Sequence, residues 1–322
     1  MMQKQLRIIN YLVIVGIVYR NITFYKSKLW DSYHTSVDNI VDILFDAVAD
    51  ENYCLHGGPC VPKNYVSMYK SQSYPDAIII GCKKCGTRAL IDMMCLHPQI
   101  KALRREGHYF DDFYALGDYW YKSRMPILAD HEVAIEKTPS YMLSRLTAER
   151  IYNFNPDIKL IVILRNPVDR LISDYLQKQA RFPKAVVLSV GETYIKNKTN
   201  TVDETKVHVQ KGLYAKQLKP WLEIFGTKSI LIEDGNAFTK DPLPTLKRAQ
   251  QFLGLKPHNN HVYFNKSKGF YCWLENSQTK CLAGAKGRKH PKIPSQQMNI
   301  LKSYYTKPNE DLFKMIGKRF DW

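Results

Sequence analysis

The amino-acid sequence predicts an α/β fold: a single main domain built around a central parallel sheet. Three short apolar runs support this prediction, and each adjoins a segment of helical spacing. Continuous apolar strands that alternate with helices are typical of a parallel sheet buried on both faces, which binds ligands at the carboxyl ends of its strands. The runs are residues 77–81 (AIIIG), 160–164 (LIVIL) and 229–232 (SILI).

Each run has its own helix signals. The first run ends in a glycine-containing loop, after which residues 87–97 show helical spacing. The second run ends at Arg165, Asn166 and Pro167, and this order predicts a helix start because proline is favoured at the first helical position. The third run follows a helix-like segment at residues 211–225.

The composition is that of a basic globular protein. The chain has 322 residues, of which 47 are basic and 30 acidic, giving a formal net charge of +17. The 45% hydrophobic content is enough for a buried core, which excludes a mainly disordered chain, and the 12% aromatic content with no fibrous period excludes collagen and coiled coils. The positive charge favours polyanionic partners, such as nucleic acid, anionic lipid, or sulfated and phosphorylated ligands.

The amino terminus predicts a signal anchor. Residues 8–19 carry no charge and lie between Arg7 and Arg20. Twelve helical residues span roughly 18 Å of a hydrocarbon core about 30 Å thick, so the run is short for a membrane helix, and a removed signal peptide is the alternative. The predicted organisation is a cytoplasmic tip and anchor at residues 1–20, a luminal stem at 21–72 with a short helix near 37–48, and the main domain at 73–322.

Cysteines and glycosylation sequons agree with an oxidising, luminal compartment. The candidate disulfide pairs are Cys54 with Cys60 and Cys272 with Cys281, and the remaining thiols are Cys82, Cys85 and Cys95. The sequons lie at Asn21, Asn197 and Asn265. The spacing of the carboxyl-terminal cysteine pair suits a closed hairpin.

The first strand, loop and helix form a candidate phosphate site that resembles a P-loop. Gly81 and Gly86 let the backbone approach an anion, Thr87 is a candidate helix cap, and the helix amino terminus favours negative charge. The pattern differs from the Walker sequence because Lys84 lies two residues before Gly86, and a basic turn with a helix cap is the structural alternative. Cys82 and Cys85 form a C-x-x-C, which could be a redox pair or half a zinc site, but two incidental thiols are favoured because no second such pair accompanies them.

Other candidate segments also carry charge at predicted strand ends. Arg165 with Ser173 could hold a phosphate. Glu106 and His108 would point to one face of an extended segment and could meet the same hydroxyl. Lys137 follows the apolar residues 133–135. Each of these residues could instead be an ordinary surface group or a hydrogen-bonded core group without a catalytic or binding role. Residues 286–290 could form a flexible cationic loop, and the alternative is a solvated charge run.

Together these segments resemble the heparan sulfate glucosaminyl 3-O-sulfotransferases of the sulfotransferase superfamily, from about residue 74 to residue 322. IIIGCKKCGTRAL looks like that family's 5′-phosphosulfate loop and LRNPVDRLISDY like its 3′-phosphate site. EGHYFD and EKTPSY resemble its acceptor segment and second active-site strand, and NKSKGFYC with CLAGAKGRKHP its carboxyl-terminal signature. The resemblance implies transfer of a sulfuryl group from 3′-phosphoadenosine 5′-phosphosulfate (PAPS) to a glucosamine 3-hydroxyl in heparan sulfate, with no metal required.

The resemblance also implies roles for single residues. Glu106 would be the general base, Lys84 and Lys137 would stabilise developing charge, and His108 and Asp111 would orient the reacting groups. The implied donor-binding residues are Lys84, Cys85, Gly86, Thr87, Arg88, Arg165, Ser173, Tyr271, Lys286, Gly287, Arg288, Lys289 and His290. The implied acceptor-binding residues are Glu106, Gly107, His108, Tyr109, Phe110, Asp111, Asp112, Lys137, Thr138, Pro139 and Ser140. The family's disulfide matches Cys272 and Cys281.

The sequence also departs from the family pattern. Cys85 stands where the family usually has glycine, and Arg104 and Arg105 precede the base where relatives often carry less positive residues. Three alternatives remain: an N-sulfotransferase, a non-catalytic heparin-binding protein, and a P-loop kinase, which the displaced lysine disfavours. The expected location is the Golgi membrane as a single-pass type II protein with a luminal catalytic domain, or a secreted luminal form if the signal is cleaved, and no nucleic-acid partner is expected.

Overall fold

The computed structural model of the chain describes residues 69–70, 72–103, 105–182, 188–258, 261–275, 278–281 and 291–322. Several predictions lie outside these residues: the anchor, the stem up to residue 68 with its helix, the pairing of Cys54 with Cys60, and the roles of Arg104 and of residues 286–290. Residues 69–322 form one compact unit. Among the described helices, none is both long and apolar enough to cross a bilayer.

A five-stranded parallel sheet forms the centre of the domain, in the order β3-β5-β2-β6-β9. The strands are β1 Tyr69–Lys70, β2 Ala77–Gly81, β3 Ile100–Leu103, β4 Leu128–Ala129, β5 Val133–Lys137, β6 Lys159–Leu164, β7 Ile195–Lys196, β8 Thr201–Val202, β9 Ile230–Asp234, β10 Val262–Asn265, β11 Phe270–Glu275 and β12 Gln278–Cys281. The predicted α/β class and parallel sheet are therefore confirmed.

Ten α-helices lie within the described residues. They are α1 Thr87–Met94, α2 Gly117–Arg124, α3 Arg145–Phe154, α4 Pro167–Arg181, α5 Val190–Tyr194, α6 Val207–Gln210, α7 Tyr214–Phe225, α8 Gly235–Lys240, α9 Leu243–Phe252 and α10 Ser295–Ile316. Two 3₁₀ turns, Tyr114–Leu116 and Tyr141–Leu143, precede α2 and α3.

The central strand β2 owes its position to its apolar sequence. All five of its residues are buried, as are the last five of β6. Fully apolar strands suit a sheet that is covered on both faces. After β2 the chain moves to β3 and β5 on one side and then to β6 and β9 on the other. The carboxyl end of β2 is therefore a topological switch point, where sheets of this kind bind ligands.

Helix α4 is held by its cap and by a core of its own. Asn166 caps it, because its side-chain oxygen accepts hydrogen bonds from the N–H groups of Val168 and Asp169. Its apolar face packs in a second buried cluster that includes Leu171 and, from α10, Tyr305. Arg165, at the end of β6, is thereby fixed next to the start of a rigid helix.

The carboxyl-terminal strands form a separate antiparallel sheet, in the order β10-β11-β12. Cys272 and Cys281 are paired across β11 and β12 and are joined by a disulfide, with their Cα atoms 3.9 Å apart. The hairpin predicted from the cysteine spacing is present.

Candidate active site

The loop between β2 and α1 has the backbone of an anion site. Lys84 has a φ angle of 74° and Gly86 one of 105°, so the chain turns sharply before α1 begins. Gly86 caps the helix without a side-chain hydrogen bond, which corrects the expectation that Thr87 is the cap: Thr87 is the first helical residue. The first N–H groups of a helix lack intrahelical partners and attract anions.

Two cations of this segment, Lys84 in the loop and Arg88 on α1, have different partners. Lys84 Nζ donates a hydrogen bond of 2.6 Å to Gln177 Oε1 on α4, so it reaches along the sheet edge toward the β6 side. Arg88 is ion-paired with Asp92 at 2.9 Å on the exposed face of α1. Lys84 therefore links this loop to α4, the helix that follows β6.

The candidate site has two arms: the loop between β2 and α1 is the first, and Arg165 with the start of α4 is the second. The guanidinium of Arg165 lies 3.9 Å from Asp169, at the edge of ion-pair range, and its Nε is buried without a hydrogen-bond partner among the described residues. A buried donor without an acceptor is costly, and an anionic ligand would satisfy it. Ser173 follows on α4 and is half-buried. Arg165 therefore fits a bound phosphate.

Tyr214, the first residue of α7, joins the two arms. Its hydroxyl donates to the carbonyl of Arg165 at 2.8 Å and lies 3.7 Å from Cys85 Sγ. The Cys82 and Cys85 thiols are both unoxidised and buried. Burial raises the pKa of the Cys85 thiol, whereas the hydrogen bond with Cys85 lowers the pKa of Cys82.

Gly235, the first residue of α8, lets the end of β9 pack against both the β2 loop and the end of β6. A Cβ there would lie 2.5 Å from the carbonyl oxygen of Cys85 and 2.7 Å from that of Leu164. The neighbouring Asn236 accepts a hydrogen bond from the N–H of Asn166 at 2.9 Å. The end of β9 therefore supports the backbone of both candidate phosphate sites.

Glu106 follows the end of β3, and Lys137 is the last residue of β5, which lies between β3 and β2 in the sheet. The Glu106 carboxylate forms an ion pair with the buried ammonium of Lys137, and its second oxygen lies 3.3 Å from His108 Nε2. The side chain of Glu106 is 42% exposed, against 4% for Lys137. The carboxylate is therefore open to a substrate while the buried cation holds it in place.

Hydrogen bonds hold the imidazole of His108 in this arrangement. His108 Nδ1 lies 3.1 Å from Asp111, and the Ser140 hydroxyl donates to Asp111 at 2.7 Å. The Thr138 hydroxyl accepts hydrogen bonds from the N–H groups of Gly107 and His108. His108 has a φ angle of 51°, so the extended segment predicted here is wrong at this residue, although the predicted meeting of acid and imidazole occurs. The chain of contacts can orient a carboxylate toward a hydroxyl group.

His108, Asp111 and Asp112 could also be considered as metal ligands, because their ligand atoms lie within 4.8 Å of one another. The imidazole is shared with Glu106, however, and Asp111 already accepts from Ser140. The cluster is an oriented hydrogen-bond network beside a cation.

Comparison with known proteins identifies the family. The model described as "Sulfotransferase domain" matches residues 74–315. The chain is 40% identical over 254 residues to human "Heparan sulfate glucosamine 3-O-sulfotransferase 6". The alignment covers 77% of this chain and 74% of that relative. The chain is 38% identical over 270 residues to the human 3B1 protein of the same name, over 82% of this chain and 69% of that relative. The chain belongs to the heparan sulfate glucosamine 3-O-sulfotransferases. A solved sulfotransferase from Alicyclobacillus acidocaldarius shares the fold, with a TM-score of 0.59 at 20% identity, over 77% of this chain and 98% of that one.

Two residues of this sulfotransferase that were predicted to contact the acceptor lie in its core. Tyr109 is 1% exposed and stacks on Tyr121 with ring centres 4.4 Å apart, and Phe110 is 0% exposed. Their burial leaves no surface for the acceptor, so they support the Glu106 segment from below. Pro139 is buried as well, whereas Asp112 is exposed.

A buried carboxyl group lies directly beneath the Glu106 segment of the sulfotransferase. Glu136, at 0% exposure, would be 2.3 Å from a Cβ at position 107, so Gly107 is required for the close approach. Burial raises the pKa of Glu136 to about 8. The Tyr121 and Tyr141 hydroxyls oppose this rise, but neither makes a hydrogen bond of normal geometry with the carboxyl.

Sequence reasoning missed several residues of the site: Glu136, Gln177, Tyr214, Gly235 and Asn236. Glu136 stands within the quoted EKTPSY segment, and an acidic residue in a strand that is otherwise apolar was a usable signal. The helical spacing of residues 211–225 concealed Tyr214, because an aromatic residue in such a pattern reads as core. Tyr271, which was implied in donor binding, is half-buried beside the disulfide.

Proposed function

We propose that this chain transfers a sulfuryl group from PAPS to the 3-hydroxyl of a glucosamine in heparan sulfate. The names of its relatives support the acceptor and the position, and membership of the sulfotransferase family supports the donor. The observation that carries the proposal is the exposed carboxylate of Glu106, held by the buried Lys137 at the edge of the sheet where the β2 loop also ends. A base, a cation and an anion-binding loop at one sheet edge are what sulfuryl transfer to a hydroxyl requires.

The two arms fit a nucleotide that is charged at both ends. PAPS supplies an activated sulfuryl group when it is bound. The loop from Cys82 to Thr87, with Lys84, would hold its 5′ end through N–H groups and an ammonium. Arg165, whose Nε lacks a partner among the described residues, would hold the 3′-phosphate together with Ser173. We also propose that Arg88 and residues 286–290 bind the donor, and this part of the proposal is based on the family resemblance alone.

Glu106 would take the proton of the acceptor hydroxyl as the sugar oxygen bonds to sulfur and the bond from sulfur to the phosphate oxygen of the donor breaks. Lys137, which is ion-paired with Glu106, would keep the carboxylate oriented and stabilise negative charge on the sulfuryl oxygens. His108, fixed by Asp111, presents its Nε2 to the second Glu106 oxygen and limits the rotation of the carboxylate.

Replacing Glu106 by Gln tests this role. We expect the rate of transfer to fall by about 10²–10⁴-fold, while the affinity for adenosine 3′,5′-bisphosphate stays the same because the arms are intact. Glu310→Gln is a matched control, since Glu310 is also ion-paired, to Arg319, and is 40% exposed on α10. Full activity of the Glu106 variant would remove this residue from the role of base.

We also propose a Golgi location, with an amino-terminal anchor and a luminal catalytic domain. The uncharged residues 8–19 and the disulfide between Cys272 and Cys281 support it, since disulfides persist in oxidising compartments. The sequon residue Asn197 is exposed. Protease protection of the domain in sealed microsomes, and loss of mass after glycosidase treatment, are the expected results. A protease-sensitive, unglycosylated domain would contradict this location.

A further inference from the structure

A cavity of about 370 Å³ lies beside the β2 loop and is not used by the mechanism above. It opens between the 3₁₀ turn at Tyr141–Leu143 and helices α6 and α7. Lys211, on its wall, approaches the loop: its carbonyl oxygen lies 4.0 Å from Cys82 Sγ. Leu143, on the opposite wall, follows Ser140 by three residues, and Ser140 bonds to Asp111 in the Glu106 network. The cavity therefore lies next to the β2 loop, and one of its walls continues along the chain from the Ser140 segment.

Two cations in the cavity have no ion-pair partner in the part of the chain that the structure describes. Lys211 is half-buried, and burial lowers its pKa. The carboxylate that acts on it most strongly, Asp174, is already paired with Arg170 at 3.0 Å. Neither Lys211 nor the exposed Lys216 forms an ion pair with a described residue, whereas Arg145 in the same wall pairs with two glutamates. A partly desolvated ammonium without a counterion favours an anionic ligand.

The rest of the lining matches a sugar better than a simple anion. The Oε1 atom of Gln217 is buried without a donor among the described residues, while its amide donates to the carbonyl of Gln210 at 2.7 Å. Val207 is 62% exposed and Leu143 is 39% exposed. A free carbonyl oxygen can accept from a hydroxyl or an N-acyl group, and apolar side chains can cover the C–H face of a sugar ring.

We propose that this cavity is a subsite for an anionic sugar of the acceptor chain, outside the glucosamine that is modified. The proposal rests on the proposed function, because it takes heparan sulfate as the acceptor. A polymer that presents one glucosamine to Glu106 would place a sulfated or carboxylated neighbour against Lys211 and Lys216. The subsite would therefore contribute affinity for long acceptors and little for short ones.

The test compares the double variant Lys211→Gln/Lys216→Gln with the wild-type full chain. Binding of a heparan sulfate dodecasaccharide and of a tetrasaccharide is measured by calorimetry in the presence of adenosine 3′,5′-bisphosphate, and the KM for each is measured with PAPS. We expect the Kd and KM of the dodecasaccharide to rise about three- to tenfold, as for partly exposed ion pairs. The tetrasaccharide values, the nucleotide affinity and the melting temperature should not change.

The matched control is Lys247→Gln/Lys302→Gln, which removes two exposed lysines from α9 and α10 and should leave the dodecasaccharide values unchanged. Unaltered dodecasaccharide binding in the Lys211/Lys216 variant would overturn the subsite, and so would an equal loss for the tetrasaccharide or for the nucleotide. If the wild type binds heparan sulfate in this length-dependent manner but transfers no sulfuryl group to it, the proposed function fails and the subsite stands.

Discussion

Replacing Glu136 by Gln should leave the stability of the protein unchanged below pH 4.5 and should stabilise it increasingly as the pH rises from 4.5 to about 8. Glu136 is fully buried, and burial raises its pKa from 4.5 to about 8. Of the groups that face it, the Tyr121 and Tyr141 hydroxyls and the Lys137 ammonium lower this pKa, and the Asp111 carboxylate raises it. The folded protein therefore keeps a proton on Glu136 that the unfolded chain releases.

Proton linkage gives the sign and the size of the effect. Below pH 4.5 the carboxyl is neutral in both states, and its full contribution to stability is present. Between pH 4.5 and about 8 the folded state binds more protons, so the free energy of unfolding falls with rising pH, by about 1.4 kcal/mol per pH unit. The full penalty is on the order of 5 kcal/mol. Glutamine has the shape of the neutral acid and does not titrate, so it avoids this penalty.

The assay is urea unfolding of wild type and Glu136→Gln at several pH values from below pH 4.5 to about pH 8. The difference between their free energies of unfolding should grow with pH, because other titrating groups cancel. Glu132→Gln is the control of opposite sign: burial alone would raise the pKa of Glu132, but the N–H of Ala129 and the ammonium of Lys101 outweigh it and lower the pKa. That variant should lose stability at neutral pH and recover in acid. A difference for Glu136→Gln that does not vary with pH would refute the reasoning.

Two further variants test the supports of the nucleotide arms. Tyr214→Phe leaves the Arg165 carbonyl without its donor, so binding of adenosine 3′,5′-bisphosphate in a calorimetric titration should weaken by roughly five- to tenfold; wild-type affinity would show that the link is not needed. Gly235→Ala puts a methyl group within 2.7 Å of the Cys85 and Leu164 carbonyls, so the free energy of unfolding should fall by about 1–3 kcal/mol, and an unchanged urea midpoint would contradict the close packing.

Local pattern was enough to predict the strands of the sheet and the two segments that are candidate phosphate sites. The run at residues 77–81 coincides with β2, and the run at 160–164 lies within β6, because a strand buried on both faces must be apolar throughout. The third run was predicted at residues 229–232, whereas β9 is Ile230–Asp234. The prediction ended too early because an apolar pattern excludes Glu233 and Asp234. Acidic residues at a strand's carboxyl end are stabilised there by partners distant in sequence.

Contacts between distant segments could not be predicted in this way. Lys84 meets Gln177 only because β2 and β6 are neighbours in the sheet, and Gly107 lies on Glu136 only because β3 and β5 are neighbours. No periodicity in either segment encodes its partner. The order of the strands decides these contacts, and the sequence pattern predicts the strands without predicting their order.

Cys85 shows how a departure from the family's usual glycine is compatible with the loop. The left-handed backbone conformations that favour glycine occur at Lys84 and Gly86, on either side, and not at Cys85 itself. A side chain at position 85 therefore causes no backbone strain. Its thiol is buried and lies 3.7 Å from the Tyr214 hydroxyl that donates to Arg165. The cysteine thus fills space between the two arms, and glycine here would remove that contact without relieving any strain.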